Sequence, residues 1–507
     1  MSRGLRCLAA WAAAGMGSLA AAQMPAAPAD GALPVPLSVP VQMGLGFETV
    51  RLPGGERMGL AAGQLLFQIG PDWWLGPVAY GAATGQRGGF FVGGVELQRR
   101  WALGGGLGLA AGLSLGGGGG AAAPVGDGLM LRPALTLLQA WGPLQAGLSL
   151  SEVRFPGTAI RSRQAGLVLG WAGSFDHLPL ASVGQRVPAD QRSGLGVDAM
   201  ALTVMRHQPH GAGNTTLPFL LLGTRLDRRF AGIDGSWGLE AAAAAQGRAA
   251  GYMEILAHAG LDWQPLQGLR LGLRGAAGLG GGGAVPAGGG GLLRLDGTLA
   301  VNLHPGWQVG ASWGRTQGRT PAMDATRSGL WLAADLEPLA SPGTPGRAGT
   351  VQRTSWGGGL LHMAPVQRRD GSRQALDAIT LVLERWIGPH AYASGQAWSA
   401  LGGAAGGYSV GLVGGGLATA ARPGGWQFGA ELLAGGAGGG GVAGVAGALL
   451  NAQAWAALPL GDGAQHTGGD NGRRLRIGLG AVAAQGGGGA RPVLSLTWQT
   501  AFGQPGP

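Results

Sequence analysis

A run of glycines occurs three times in this chain, in the same setting each time: Gly116 to Gly120, Gly280 to Gly283 and Gly438 to Gly441, about 160 residues apart. A Leu/Gly/Ala-alternating stretch precedes each run (Leu107–Leu115, Leu269–Leu279, Trp426–Gly436). A small-residue loop and another alternating stretch follow it (Leu129–Leu137, Leu292–Val301, Leu449–Trp455). Upstream of the first and last runs, Gly76-Pro77-Val78-Ala79-Tyr80-Gly81 resembles Gly388-Pro389-His390-Ala391-Tyr392-Ala393, with a weaker counterpart near Gly232. One unit has been used three times.

Composition limits what that unit can be. Charged residues make up 12% of the chain and hydrophobic residues 46%, too little charge for an ordinary soluble surface. No run after the N-terminus is apolar and long enough to cross a bilayer as a helix, and 107 glycines argue against long helices. A transmembrane β-barrel and a low-complexity Gly-rich polymer remain.

Periodicity separates them. Strict two-residue alternation marks a strand with two different faces. Trp307, Val309, Ala311 and Trp313 oppose Gln308, Gly310, Ser312 and Gly314. Trp426, Phe428, Ala430 and Leu432 oppose Gln427, Gly429 and Glu431, and Ile379, Leu381 and Leu383 oppose Thr380 and Glu384. The polar face is bare: Gly, Ala, Ser, Gln and isolated charges. Trp307 and Trp313 are about 20 Å apart along an extended chain, comparable with the spacing of two aromatic girdles.

The first residues read as a secretory signal: Arg3 and Arg6, an apolar stretch from Leu8 to Leu19, and cleavage between Ala22 and Gln23. Cys7 falls inside it, so the mature chain has no thiol chemistry or disulfides. The C-terminus is the most specific segment. From Val493 to Phe502 it alternates, with Leu494, Leu496, Trp498 and Phe502 on one face. It resembles the final strand of bacterial outer-membrane β-barrel proteins, which ends in an aromatic residue. The resemblance implies an outer-membrane location, outer-membrane lipid as surroundings and the barrel-assembly machinery as partner. Here Gly503-Gln504-Pro505-Gly506-Pro507 follows the aromatic, which departs from that pattern.

Eight strands are expected in the first unit, near 43–50, 59–69, 76–84, 89–98, 106–115, 128–140, 144–152 and 161–171, separated by Pro/Gly turns. Three such units give an all-β, antiparallel transmembrane barrel of roughly 24 strands. The expected organisation is a signal peptide (1–22), a periplasmic segment (23–42) and a single large barrel (43–502) made of repeats 43–175, 195–336 and 350–502. Three small barrels in series, joined by Leu178–Ser193 and Glu337–Thr350, are the alternative. The single barrel is preferred because an eight-stranded one must fill its interior with side chains, and the Gly/Ala-heavy inner faces fill space poorly. With a periplasmic N-terminus, the glycine runs fall after the fifth strand of each unit, on the extracellular side.

Every basic residue is Arg, and the formal charge is +10. Arginine suits phosphate and carboxylate, including the phosphates of lipopolysaccharide, although solvated loop charge is the plainer reading. The arginines are scattered and form no stripe for nucleic acid. The glycine runs could surround a soft barrel mouth, allow tight packing in the wall, or be low-complexity loop.

No catalytic, cofactor or metal site is expected. His207 and His210 form the one close histidine pair and read as a loop. His177 with Ser174 or Ser182 could mimic a hydrolytic pair, but each lies at a unit junction. Candidate lumen charges are Glu96, Arg132, Glu384 and Glu431. The function expected is a pore or export channel for a solute or polymer; the alternative is a secreted or surface Gly-rich structural or adhesive protein.

Overall fold

The computed structural model describes residues 33–188, 193–210, 217–318, 323–337, 348–420, 425–460, 472–485 and 489–506. The cleavage site at Ala22 and Gln23, Cys7 and the first part of the 23–42 segment lie outside the described residues, as do parts of both unit linkers.

The described residues form 25 antiparallel strands and two three-residue 3-10 turns. The first set is β1 (Leu37–Arg51), β2 (Arg57–Gln68), β3 (Trp73–Thr84), β4 (Phe91–Gly104), β5 (Leu107–Gly119), β6 (Leu129–Trp141), β7 (Leu144–Arg154) and β8 (Arg161–His177). A two-residue β9 (Arg186–Val187) follows in the linker. The second set is β10 (Ala199–Pro209), β11 (Phe219–Arg229), β12 (Gly235–Gln246), β13 (Met253–Leu266), β14 (Leu269–Gly281), β15 (Gly291–His304), β16 (Trp307–Gly318) and β17 (Asp324–Asp335). The third is β18 (Gly349–Gln367), β19 (Arg373–Trp386), β20 (Ala391–Gly402), β21 (Ser409–Ala418), β22 (Gln427–Gly438), β23 (Gly447–Pro459), β24 (Arg473–Ala484) and β25 (Arg491–Gly506). The all-β class, the 24 long strands and the three sets of eight agree with the sequence.

Closure differs from the preferred expectation. β1 pairs with β8, β10 with β17, and β18 with both β19 and β25, so each unit closes on itself. Gly44 of the first strand lies opposite Gly170, and Trp498 of the last lies opposite Gly358. There are three eight-stranded barrels, not one large barrel over 43–502. The physical reason is that the inner faces are not short of volume. Met58, Leu60, Phe90 and Met130 fill one end of the first barrel. Long polar side chains fill the middle, and inner-wall glycines make room for them: a Cβ on Gly44 would lie 2.6 Å from the Gln64 amide nitrogen. Likewise a Cβ on Gly310 would lie 2.2 Å from the Trp331 ring.

The outer faces are apolar. Leu148, Leu150, Leu167 and Leu169 are each more than 60% exposed on the first barrel, as are Leu293 on the second and Leu479 on the third. A contiguous belt of this kind has no place in water and is what a membrane β-barrel presents to lipid. Exposed tryptophans gather at the linker end: Trp73, Trp101, Trp141, Trp171, Trp237, Trp263, Trp307 and Trp426. Trp313, expected at a second girdle, sits mid-strand in β16. The aromatic girdle is therefore one-sided.

The glycine runs end the fifth strand of each barrel, at the end opposite the linkers, and they join the barrels. β3 packs against β14, β12 against β22, and β20 against β5, so the third strand of each barrel meets the fifth of the next and the series closes into a ring. At its centre, three hexapeptides after the third strands match: Gly85-Gln86-Arg87-Gly88-Gly89-Phe90, Gly247-Arg248-Ala249-Ala250-Gly251-Tyr252 and Gly403-Ala404-Ala405-Gly406-Gly407-Tyr408. Gly89, Gly251 and Gly407 have φ of +91°, +94° and +94°. A Cβ there would lie 2.1 Å from Gly282 N, 2.7 Å from Gly439 N and 2.6 Å from Gly120 N of the neighbouring barrel. Backbone hydrogen bonds cross the same contacts, from Gly88 N to Gly288 O at 2.8 Å and from Gly406 N to Gly126 O at 3.0 Å. The runs form neither a soft mouth nor a loose loop; they permit close approach.

Candidate functional site

Two-residue alternation sends every second side chain into a lumen narrow enough for side chains to meet across it, so a buried charged residue of inward parity finds its partner on another strand. In the first barrel Glu48 of β1 receives Arg132 of β6 through two bonds, Nε–Oε1 at 2.9 Å and Nη2–Oε2 at 2.8 Å. Ser151 donates to the same carboxylate at 2.7 Å. Glu96 accepts from Ser114 at 3.0 Å and from the Gln98 amide. In the third barrel Arg476 of β24 lies between Glu384 and Glu431, with its Nη2 2.7 Å from Glu431. Gln396 and Tyr392 also donate to Glu431, at 2.7 and 3.1 Å. The structure thus places Glu96, Arg132, Glu384 and Glu431 inside lumens, buried, and brings the last two onto one guanidinium.

The largest charge layer is one that sequence reasoning missed, in the second barrel. Arg294 of β15 binds Glu240 of β12 through both terminal nitrogens (2.8 and 2.7 Å) and holds its Nε 2.9 Å from Asp296. Arg327 of β17 bridges the same two acids at 3.1 and 2.6 Å. On the adjacent strands Arg225, opposite Glu240, meets Asp227 at 2.8 Å, and Arg274, opposite Asp296, lies 3.8 Å from that carboxylate. The signal was present in Leu293-Arg294-Leu295-Asp296, where exposed leucines alternate with buried charges.

This layer divides the second lumen. Toward the linker end lies a solvent-open recess lined by Arg229, Asp234, Asp262, Arg270 and Asp335 and reaching up to Arg225, Arg274 and Trp331. A small void at the charge layer shares those last three residues and adds Glu240, Arg294 and Arg327. Toward the glycine end the lumen is sealed by Met205, Phe219, Leu221, Tyr252, Leu256 and Met323. Phe90 and Tyr408 stand at the position of Tyr252 in the other barrels, all three fully buried. Each accepts a backbone bond from the third strand (Ala82, Ala244, Ala400) at 2.9 to 3.0 Å. The two Gly-Pro segments matched in sequence are less alike in space: Tyr80 lies deep in β3, Tyr392 at the start of β20.

The remaining candidates are placed as follows. His207 is in β10, not in a loop; it is buried against Phe219 and Tyr252, because its parity in the strand points it inward. His210 lies just past that strand, 2.5 Å from the Thr326 hydroxyl. His177 packs its ring against Phe175 and Phe502, and the Ser182 hydroxyl donates to Pro179 O at 2.6 Å. Among the described residues no group of three metal-ligating side chains converges. Leu494, Leu496 and Trp498 face outward, whereas Phe502 is buried against Phe175 of the first barrel and the strand continues to Gly506.

At the linker end, outside the barrel walls, Glu337 receives the Ser193 amide (2.9 Å) and hydroxyl (3.0 Å). Burial pushes its carboxyl up to about 7, against the lowering effect of the Ser193 bonds.

No protein-family model matches the chain, and no curated protein does. Among solved structures it is similar to OccK9 (OpdG) of Pseudomonas aeruginosa, at 12% identity over 92% of this chain and 98% of that one, with a TM-score of 0.19. It is similar to the FrpB iron transporter of Neisseria meningitidis at 9% identity, over 92% and 82%, with a TM-score of 0.28. The siderophore receptor PirA of P. aeruginosa matches at 8% identity, over 91% and 80%, with a TM-score of 0.26. These neighbours are bacterial outer-membrane β-barrel proteins. At such scores the molecules do not superpose, and function has to be read from this chain's own geometry.

Proposed function

We propose that the protein is an integral outer-membrane β-barrel protein that passes a small solute through a gated lumen, with the second barrel as the route. The observation that supports this reading is the half-channel of that barrel. A charged vestibule rises from the linker end to a salt-bridged layer and stops beneath an apolar seal. The apolar outer belts disfavour the alternative of a secreted Gly-rich structural or adhesive protein, since that surface would aggregate in water.

Planar-bilayer recording tests the proposal. The wild type should show brief, small openings. Glu240→Gln, which loosens the layer, and Tyr252→Ala, which opens the seal, should each lengthen them. Folded variants, verified by heat-modifiable gel migration, that stay silent at all voltages would overturn transport and leave a closed structural barrel.

A further inference from the structure

At the glycine-run end, the outward face of the first barrel changes from leucine to arginine. From that end inward β8 presents Arg161, Arg163, Ala165, Leu167, Leu169 and Trp171 to the outside. Arg51 and Arg57 stand directly opposite each other across β1 and β2, and Arg154 and Arg161 across β7 and β8. All are exposed. Among the described outward residues of these four strands at this end, the one acid is Glu152, which accepts from Arg161 Nε at 2.9 Å and Arg163 Nε at 2.7 Å. The strands are neighbours in the order β2, β1, β8, β7, so the patch is about 14 Å wide at ordinary strand spacing.

Like charges set directly opposite each other weaken a sheet pair, and here that occurs twice side by side. A multivalent anion between them reverses the sign of the interaction, and guanidinium forks suit phosphate oxygens. The patch also continues without a break into the apolar belt, above Phe47, Leu148, Leu150 and Leu167. A ligand seated there keeps phosphate on the arginines only if its remainder lies along the leucines, which specifies an amphiphile. At the equivalent level the described strand pairs of the other barrels set no two arginines directly opposite each other: Arg315 is matched by Asp324 and His362 by Asp377, while the exposed Arg206 and Arg373 stand opposite Leu220 and Gln367. The tryptophan girdle lies at the opposite end, which leaves this one to the other leaflet.

We propose that this face of the first barrel binds the multiply phosphorylated saccharide headgroup of an outer-leaflet glycolipid, of the lipid A type. The proposal rests on the membrane-spanning reading above. It is tested with the full chain in phosphatidylcholine nanodiscs, with and without a few mole percent of lipid A. The unfolding midpoint is read by heat-modifiable migration, and bound lipid A is quantified after repurification. Lipid A should raise the wild-type midpoint. Arg154→Gln/Arg161→Gln should lose most of that rise and bind at least tenfold less lipid A, yet unfold no earlier than wild type in its absence, because the opposed charges are gone. Arg51→Gln/Arg57→Gln should repeat the pattern, and Glu152→Gln should retain binding. An equal rise in wild type and both double variants overturns the proposal. So does full replacement of lipid A by inorganic phosphate at matched phosphate concentration, which would make the patch a free-oxyanion site. Failure of the membrane reading itself would show earlier, as a chain that stays soluble without detergent and does not enter the disc.

Discussion

Replacing Gly89 by Ala tests whether the glycine junction holds the barrels together. Two costs act at that position. The backbone is at φ +91°, where an L side chain is strained by about 1–2 kcal/mol. The new Cβ would also sit 2.1 Å from Gly282 N and 2.5 Å from Gly281 C, backbone atoms of the next barrel that cannot swing aside. Overpacking of this kind costs about 1–3 kcal/mol when the structure can adjust, and here the adjustment is separation of the first and second barrels. Gly54 supplies the control. It has φ +80° and nothing within 4 Å of a built Cβ, so Gly54→Ala carries the backbone term alone. The expected difference between the two variants is therefore about 1–3 kcal/mol, all of it at the junction. Hydrogen exchange at residues 281–290, on the facing barrel and free of Gly89's own backbone term, reads it directly. Gly89→Ala should speed exchange there roughly 5- to 150-fold over Gly54→Ala while barrel-wall amides of β1 and β8 stay protected. Equal exchange in the two variants would refute the argument that close approach is what these glycines are for.

Three further outcomes follow from the same geometry. Arg294→Met leaves Glu240 and Asp296 short of a partner in a site where all three are at most 4% exposed, and should cost about 3–5 kcal/mol, seen as a lowered unfolding midpoint in urea. Glu337 binds a proton in the folded chain up to about pH 7 but only to its ordinary 4.5 when unfolded, so the linker clasp is strongest below pH 4.5 and weakens as pH rises to 7. The loss is at most about 3 kcal/mol; proteolysis in the linkers should accelerate from pH 5 to pH 8, and Glu337→Gln should abolish that trend. Trp141 and Trp263, both more than 60% exposed, should be quenched by lipids brominated near the headgroup, whereas a water-facing girdle would ignore them.

The strand pattern was legible because its cause is local. All eight strands placed in the first unit are present, since period-two alternation bounded by Pro/Gly turns needs no tertiary information. Closure was not legible. Whether β8 returns to β1 or passes on to a ninth neighbour depends on lumen volume, and the volume here comes from pairs distant in sequence, such as Glu48 with Arg132 and Glu240 with Arg294. Four lumen charges could be picked by parity. In the second barrel's layer, Arg225, Asp227 and Glu240 were hidden because the strands between 195 and 260 carry runs such as Ala241 to Ala245 that blur alternation, whereas Arg294 and Asp296 alternate openly and only their partners were out of reach of the sequence. The hexapeptide ending in Phe90, Tyr252 and Tyr408 was present as a repeat, yet its meaning, contact with the next barrel's glycine run, requires three units at once.

That ring also accounts for the residues that break the expected C-terminal pattern. A third-strand-to-fifth-strand contact is heterologous, and such contacts make a closed object only if the last copy meets the first. Linkers tie the first barrel to the second and the second to the third, but nothing covalent joins the third to the first. This seam carries contacts that lie away from the glycine junction. β9 of the first linker pairs with the start of β18, and Leu178 bridges to Gly503 with reciprocal backbone bonds of 2.9 and 2.8 Å. Phe175 stacks edge-on against Phe502 at 5.1 Å, and Phe67 meets Trp356 at 4.7 Å. The extension Gly503 to Gly506 therefore continues β25 as the strand edge on which the first barrel docks. Burial of Phe502 is the consequence: an aromatic that would otherwise end the chain at the lipid surface is spent on closing the ring.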